Sequence, residues 1–333
     1  MSPRTDVAGD DRDGRTPFAV PISPAPAHES PGWSFRAGDE MVPGLHAWAR
    51  LGGGPRCETW LAWSTRHWCP VAAKVARPAE SDHSQTARRL AEEAGRVTAL
   101  SHPAFQRLLE DLVHGRPPCL LYEYAEGPTL ASLVDRHGPM EPAEVALVGI
   151  QLASALRYLH AEGLVHLDLK PTNLVLRDGR VVVLDLGLSR PVGAGGGRRL
   201  RGTPRYMAPE QRAGAAADPG MDVYALGLVL HELLTGAPAG PPAGDGELQR
   251  VIASLLHHDP AHRPSINAAL SALALVTPST GPDAPWPGWV SDLAVRLSGS
   301  GSDAPRTTPP DGQRHRWSAP SRNIDVRGSA DLT

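Results

Sequence analysis

The chain has 333 residues, with 33 Lys and Arg against 36 Asp and Glu for a formal net charge of −3, a balance that excludes a general nucleic-acid coat. Hydrophobic residues are 41% of the total, too many for wholesale disorder, and the length suggests about two domains. Glycine and proline, 34 each, exceed average usage and predict unfolded tails around a folded block.

Residues 1–31 mix charge with Pro, Ser and Gly and contain no apolar run able to act as a signal peptide, and residues 1–40 read as a disordered tail. Pro21-Ile-Ser-Pro-Ala-Pro26 is either a polyproline segment for a partner module or an inert linker. Cys57, Cys69 and Cys119 form no CxxC pair and are odd in number, so neither a disulfide framework nor a zinc cage is indicated. The apolar stretches 223–234 and 268–276 are too short, or too interrupted by His231 and Glu232, to cross a membrane. A soluble cytoplasmic protein is expected.

The folded block, residues 41–277, changes character midway. Residues 41–124 alternate short β-like runs with one helix, and residues 125–277 are mostly helical. In the first part, alternation along 71–75 puts Ala72 and Lys74 on one face of a strand. On the helix 87–100, Glu93 falls three residues after Leu90 and four before Val97 and shares their inward face, whereas Glu92 points outward. In the second part, Val145, Val148, Leu152, Leu156 and Leu159 form one helical stripe. Leu174-Val-Leu176 and Val181-Val-Val-Leu184 then flank Asp178-Gly179, predicting a β-hairpin. From residue 278 the chain returns to Pro, Ser, Gly and Arg and reads as a largely disordered tail. There, Trp286, Trp289, Val290, Leu293 and Leu297 form a short docking helix or a loose extension, and Ser298, Ser300, Thr307, Thr308, Ser318 and Ser321 are phosphorylatable.

Between the long helix and the hairpin lies Leu164-Val-His-Leu-Asp-Leu-Lys-Pro-Thr-Asn-Leu174, and after the hairpin comes Asp185-Leu-Gly187. With Leu51-Gly-Gly-Gly54, Val71-Ala-Ala-Lys74, Glu93, Gly202-Thr-Pro-Arg-Tyr206, Ala208-Pro-Glu210, Asp222-Val-Tyr-Ala-Leu-Gly227 and Arg263, these pieces resemble the eukaryotic-like serine/threonine protein kinase family of bacteria, over about residues 45–272. The resemblance implies an α+β, two-lobed protein kinase fold. A small β-rich N-lobe (about 41–124) carries one key helix, and a larger helical C-lobe spans about 125–277.

Phosphoryl transfer demands positioning and charge neutralisation more than covalent chemistry. Gly52 and Gly54 lie in a turn where missing side chains let backbone N–H groups approach phosphates, although an ordinary hairpin would look the same. The resemblance makes Ala72 the roof of the adenine pocket and Val175 its floor. It makes Glu123 to Ala125 the hinge after a gatekeeper Tyr122, and places Leu51, Gly53 and Thr59 around the nucleotide. It pairs Lys74, reaching the ATP phosphates, with Glu93. Asp168 is the candidate base for the attacking hydroxyl, and Lys170 neutralises the transferring group and marks Ser/Thr rather than Tyr kinases. Asn173 and Asp185, at opposite ends of the hairpin, are oxygen ligands suited to Mg²⁺ or, singly, turn formers. His166, Leu186 and Val97 pack between the lobes, Glu210 pairs with Arg263, and Asp222 binds the catalytic loop.

Several positions depart from the family pattern. Cys57 replaces the third glycine and Thr59 the valine that follows, putting nucleotide affinity in question; Cys57 is either a redox-sensitive thiol or a tolerated small residue. Leu167 stands where many members carry the Arg that binds a phosphorylated activation loop, and between Gly187 and Gly202 the only hydroxyl is Ser189. Activity independent of activation-loop phosphorylation is therefore expected. The short connection 236–248 predicts loss of a substrate-docking helix. The expected function is transfer of the γ-phosphate of Mg-ATP to protein Ser/Thr hydroxyls, with autophosphorylation among the outcomes. The alternative is a pseudokinase scaffold. A small-molecule phosphotransferase is disfavoured by the peptide-platform motifs at 202–210.

Overall fold

The structure, a computed structural model, describes residues 31–195, 202–237 and 245–277. All of them belong to the first of two units, residues 1–299 and 300–333. The Pro21 segment, the 286–297 stretch and the tail hydroxyls lie outside the described residues.

The first half builds one antiparallel sheet from β1 (Glu40–Val42), β2 (Leu45–Gly53), β3 (Cys57–Ser64), β4 (Cys69–Ala76), β5 (Leu108–Leu112) and β6 (Cys119–Glu123), in the order β1-β2-β3-β4-β6-β5. Period-two alternation sorts its side chains. Val71, Ala73 and Val75 of β4 pack on one face with Trp60, Ala62 and Leu121. Ala72 lies on the other, with Leu90 and Val97 of the helix α1 (Ser84–Thr98). On α1, Leu90, Glu93 and Val97 are buried, while Glu92 is exposed and pairs with Arg88 four residues earlier.

The second half is helical: α2 (Leu130–His137), α3 (Pro142–Ala161), α4 (Pro209–Arg212), α5 (Pro219–Thr235), α6 (Glu247–Leu255) and α7 (Ile266–Leu275). Pro142 starts α3, and the Glu144 carboxylate accepts the Glu141 N–H at 3.1 Å, a capping device that answers an otherwise orphaned donor. All five residues of the apolar stripe on α3 are buried. α5 is apolar nearly all round because α3 and α6 cover it. The expected hairpin is β8 (Leu174–Arg177) with β9 (Arg180–Val183), in register Leu174 to Val183. Its turn places Asp178 at φ 50° and Gly179 at φ 74°, the left-handed pair that a two-residue hairpin needs. A small ladder, β7 (Leu164–Val165) with β10 (Arg190–Pro191), precedes the segment that carries His166, Asp168 and Lys170.

Two boundaries differ from expectation or bear on it. Residues 32–36, assigned by composition to a disordered tail, lie against the sheet: Trp33 stacks on Phe35 at 5.0 Å, and Phe35 meets Trp60 edge-on at 5.6 Å. Two half-buried aromatic side chains contribute apolar burial against the cost of ordering so short a segment. Among the described residues no helix falls between α5 and α6, where the docking helix was expected to be missing; residues 238–244 lie outside them.

Arg263, with its side chain 1% exposed, forms a two-point ion pair with Glu210 at 2.6 and 2.9 Å. It also donates to the carbonyls of Gly220, His257 and His258. Glu210→Ala would leave this guanidinium buried without its counter-charge. Urea denaturation should register a loss of about 3–5 kcal/mol.

Candidate active site

The sheet, α1 and the β8–β9 hairpin converge on one ammonium group. Lys74 Nζ lies 2.8 and 2.7 Å from the two carboxylate oxygens of Glu93 and 2.7 Å from Asp185 Oδ1. Glu93 is buried, whereas the Asp185 side chain is 45% exposed. A Cβ on Gly187 would come within 2.8 Å of Glu93 Oε2 and 2.9 Å of Lys74 Nζ, so only glycine lets the cluster close there. Burial alone would lower the pKa of Lys74, but Asp185 and Glu93 outweigh it and raise it above the ordinary range. Burial opposes the ionised form of Asp185, yet the charge and hydrogen bond of Lys74, with the Gly187 N–H, hold its pKa well below the usual carboxylate range.

The catalytic segment is held from below. Asp222, fully buried on α5, accepts the N–H groups of His166 at 2.8 Å and Leu167 at 2.9 Å, and its Oδ2 also meets His160 Nε2 at 2.8 Å. This fixes Leu167 at φ 68°, a left-handed conformation strained for leucine. Asp168 then receives donors on both oxygens. Oδ1 accepts the Thr203 N–H and hydroxyl, both at 2.8 Å, and Oδ2 accepts Lys170 Nζ at 2.8 Å. Lys170 reaches the Thr203 hydroxyl as well, at 2.8 Å.

The ends of the hairpin are tied by the Leu184 N–H donating to the Asn173 carbonyl at 2.8 Å, which sets Asn173 beside Asp185. Asn173 spends its amide nitrogen on the Asp168 carbonyl at 3.1 Å, which leaves its side-chain oxygen as an acceptor. Both bonds to Asp185 fall on Oδ1, leaving Oδ2 likewise. Two uncommitted hard oxygens, from an amide and an ionised carboxylate, are a donor set that fits Mg²⁺ shared with phosphates.

The remaining expected positions lie on the sheet, in the segment that follows β6 and on β8. Gly52 and Gly53 oppose Thr59 and Glu58 in the β2–β3 hairpin, and a Cβ on Gly52 or Gly54 would meet nothing within 4 Å. Leu51 is half-buried against the main core, and Thr59 pairs in register with Lys74. Ala125 and Val175 share one small apolar cluster with Val182. The Glu123 carbonyl already accepts Gln106 Nε2 at 2.8 Å, and its carboxylate meets Arg177 at 3.1 Å. His166, Leu186 and Val97 are all buried. Ser189 is 2% exposed and donates to the Leu186 carbonyl at 2.7 Å, so its hydroxyl is turned inward.

One contact was not expected. The Tyr122 phenol donates to Glu93 Oε1 at 2.7 Å, tying α1 to the strand that leads into the hinge. A tyrosine beside a hinge motif marks the position but not where its hydroxyl points; only the register Ala72 to Tyr122 places it over α1.

A lysine neutralised by two carboxylates, an oriented aspartate beside a second lysine, and a hard-oxygen pair form a cleft suited to phosphoryl transfer. Comparison with known proteins agrees: residues 45–245 match the protein kinase domain. The chain belongs to the protein kinase family. It is 32% identical over 247 residues to the serine/threonine-protein kinase PknB of Mycobacterium tuberculosis, covering 70% of this chain and 39% of that one. It is 34% identical over 202 residues to the serine/threonine-protein kinase PkaA of Streptomyces coelicolor, covering 59% and 36%. It thus spans less than two-fifths of the length of these curated relatives.

Burial pushes the Cys57 thiol up to about 11, with Lys74 opposing and Glu93 and Asp185 reinforcing the shift. At pH 8 only about 1 in 1,000 of these thiols would be the reactive thiolate, which weighs against a redox-sensing role. Iodoacetamide labelling followed by mass spectrometry should find Cys57 alkylated far more slowly than free glutathione at pH 8, with labelling rising steeply towards pH 11.

Proposed function

We propose that the chain is a serine/threonine protein kinase that transfers the γ-phosphate of Mg-ATP to protein hydroxyls in the cytoplasm, its own tail hydroxyls included, through a catalytic domain reaching from the sheet to residue 277. The observation that carries this reading is the closed Lys74, Glu93 and Asp185 cluster above an oriented Asp168. Lys74, held by Glu93, binds the α- and β-phosphates. The glycine turn covers them, with Ala72 and Val175 sandwiching the adenine and the backbone of Glu123 and Ala125 at its edge. Mg²⁺, held by Asn173 and Asp185, would neutralise charge on the phosphates. Asp168 orients the substrate hydroxyl and accepts its proton as oxygen attacks phosphorus. The bond from the γ-phosphorus to the bridging oxygen breaks and ADP leaves, while Lys170 offsets negative charge on the phosphoryl group.

Three features support activity independent of a phosphate on the activation segment. Leu167 supplies no cation to clamp one, Ser189 is buried, and the Tyr122 hydroxyl holds Glu93 inward in its place. Among the described residues no helix is long and apolar enough to cross a membrane.

Labelled γ-phosphate transfer by the purified protein tests the reading. Asp168→Asn should lower kcat by about 10²- to 10⁴-fold, and Lys74→Met should be comparably impaired. Wild-type protein that binds ATP without transferring phosphate would mean a scaffold instead. Phosphatase-treated enzyme should turn over as fast as untreated enzyme. A required phosphate on Ser189, found by mass spectrometry, would contradict the activation argument.

A further inference from the structure

A second buried charge cluster lies on the far side of the glycine turn. Glu58 and Arg77 are each 1% exposed. The Glu58 carboxylate collects donors from four directions: Arg50 Nε at 3.2 Å and Arg77 Nη1 at 3.4 Å on Oε1, and Trp60 Nε1 at 3.2 Å and the Trp33 backbone N–H at 3.1 Å on Oε2. Arg77 extends the chain of contacts to the turn itself. Its Nε donates to the Gly54 carbonyl at 2.7 Å, and its backbone N–H donates to the Arg56 carbonyl at 2.8 Å. Trp33 adds a second tie, its indole N–H donating to the Ala76 carbonyl at 2.8 Å, one residue before Arg77. The fit over Glu58 is tight. A Cβ on Gly32 would lie 2.1 Å from Glu58 Oε1, so the segment passes over the carboxylate only because residue 32 has no side chain.

We propose that residues 32–36 form a strap that positions the nucleotide loop, acting through Glu58 and Arg77 on the Gly54 carbonyl. The turn lacks the third glycine of its family, carrying Cys57 instead, and the strap completes the shell that fixes it. Removing the strap uncovers Glu58 and takes away its Trp33 donor. A carboxylate free to turn towards water draws Arg77 with it, and Gly54 loses its anchor. Glu58, Arg77 and Trp33 are thus positioning residues. Any force or partner acting on the chain ahead of residue 32 gains a lever on nucleotide binding that leaves Asp168 and Lys74 untouched.

The inference rests on the kinase reading, because the loop matters only if nucleotide sits under it. The test measures Mg-dependent binding of a fluorescent N-methylanthraniloyl ATP, with steady-state ATP KM and kcat, for the full chain, for Gly32→Ala and for a chain beginning at residue 37. Both altered proteins should bind the nucleotide about three- to tenfold more weakly, the scale of one lost hydrogen bond. The change should fall on ATP KM rather than on kcat at saturating ATP. In an Arg77→Met background, Gly32→Ala should add nothing further, since both act along one path. If Gly32→Ala fails to fold, Trp33→Phe carries the test, keeping the ring stack while deleting the donor to Ala76. Unchanged nucleotide affinity in the strap variants, even with a lowered melting temperature, would overturn the proposal and leave the strap as packing. Failure of the full chain itself to bind the nucleotide would overturn the kinase reading and the strap with it.

Discussion

The Lys74 ammonium is the point on which the two halves of the fold close. One carboxylate comes from α1 above and the other from the end of the β8–β9 hairpin below. A buried charge left without its partner costs several kcal/mol, so neither half can draw away without penalty. The pKa directions give the range over which the cluster holds. The Asp185 contribution is present above its unfolded pKa and is lost only as pH falls through its depressed folded value. That of Lys74 is present below its unfolded pKa and is lost only as pH rises through its elevated one. Neither boundary falls near neutrality, so both partners keep the charges that the pairing needs there.

Rigidity in the lower half has a different origin. Asp222 and the Arg263–Glu210 pair sit among the helices and bind backbone rather than ligand: two amides of the catalytic segment for Asp222, three carbonyls for Arg263. Side chains so used convert irregular backbone, which cannot satisfy itself as a helix does, into a fixed platform. Asp168 inherits its orientation from that platform, and Thr203 and Lys170 complete it.

Much of this was legible in the residues. Helical spacing separated Glu93 from Glu92, and the Asp-Gly turn announced the hairpin, because both depend on local periodicity and turn chemistry. The resemblance supplied the roles of Asp222 and Arg263, whose partners are far away in sequence. Three features were not legible. Composition assigned Trp33 and Phe35 to a tail, because the surrounding Pro, Ser and Gly mask two aromatics that find their partner only on the assembled sheet. Glu58 and Arg77 look like ordinary strand-end charges, and their burial depends on what lies over them. The Tyr122 hydroxyl bonds across elements 29 residues apart in sequence. Each is a tertiary contact without a period.

The amides at the left-handed turn of Leu167 tie the segment before Asp168 to the buried interior of α5. The Leu167 amide, and that of His166, end on a carboxylate that is itself enclosed among α5 side chains. These protons can reach solvent only when α5 loosens, so they share the protection of a core helix although they belong to an irregular loop. The loop and the helix are thereby coupled, and Asp168, the next residue along the loop, is kept in register by a buried side chain of a core helix.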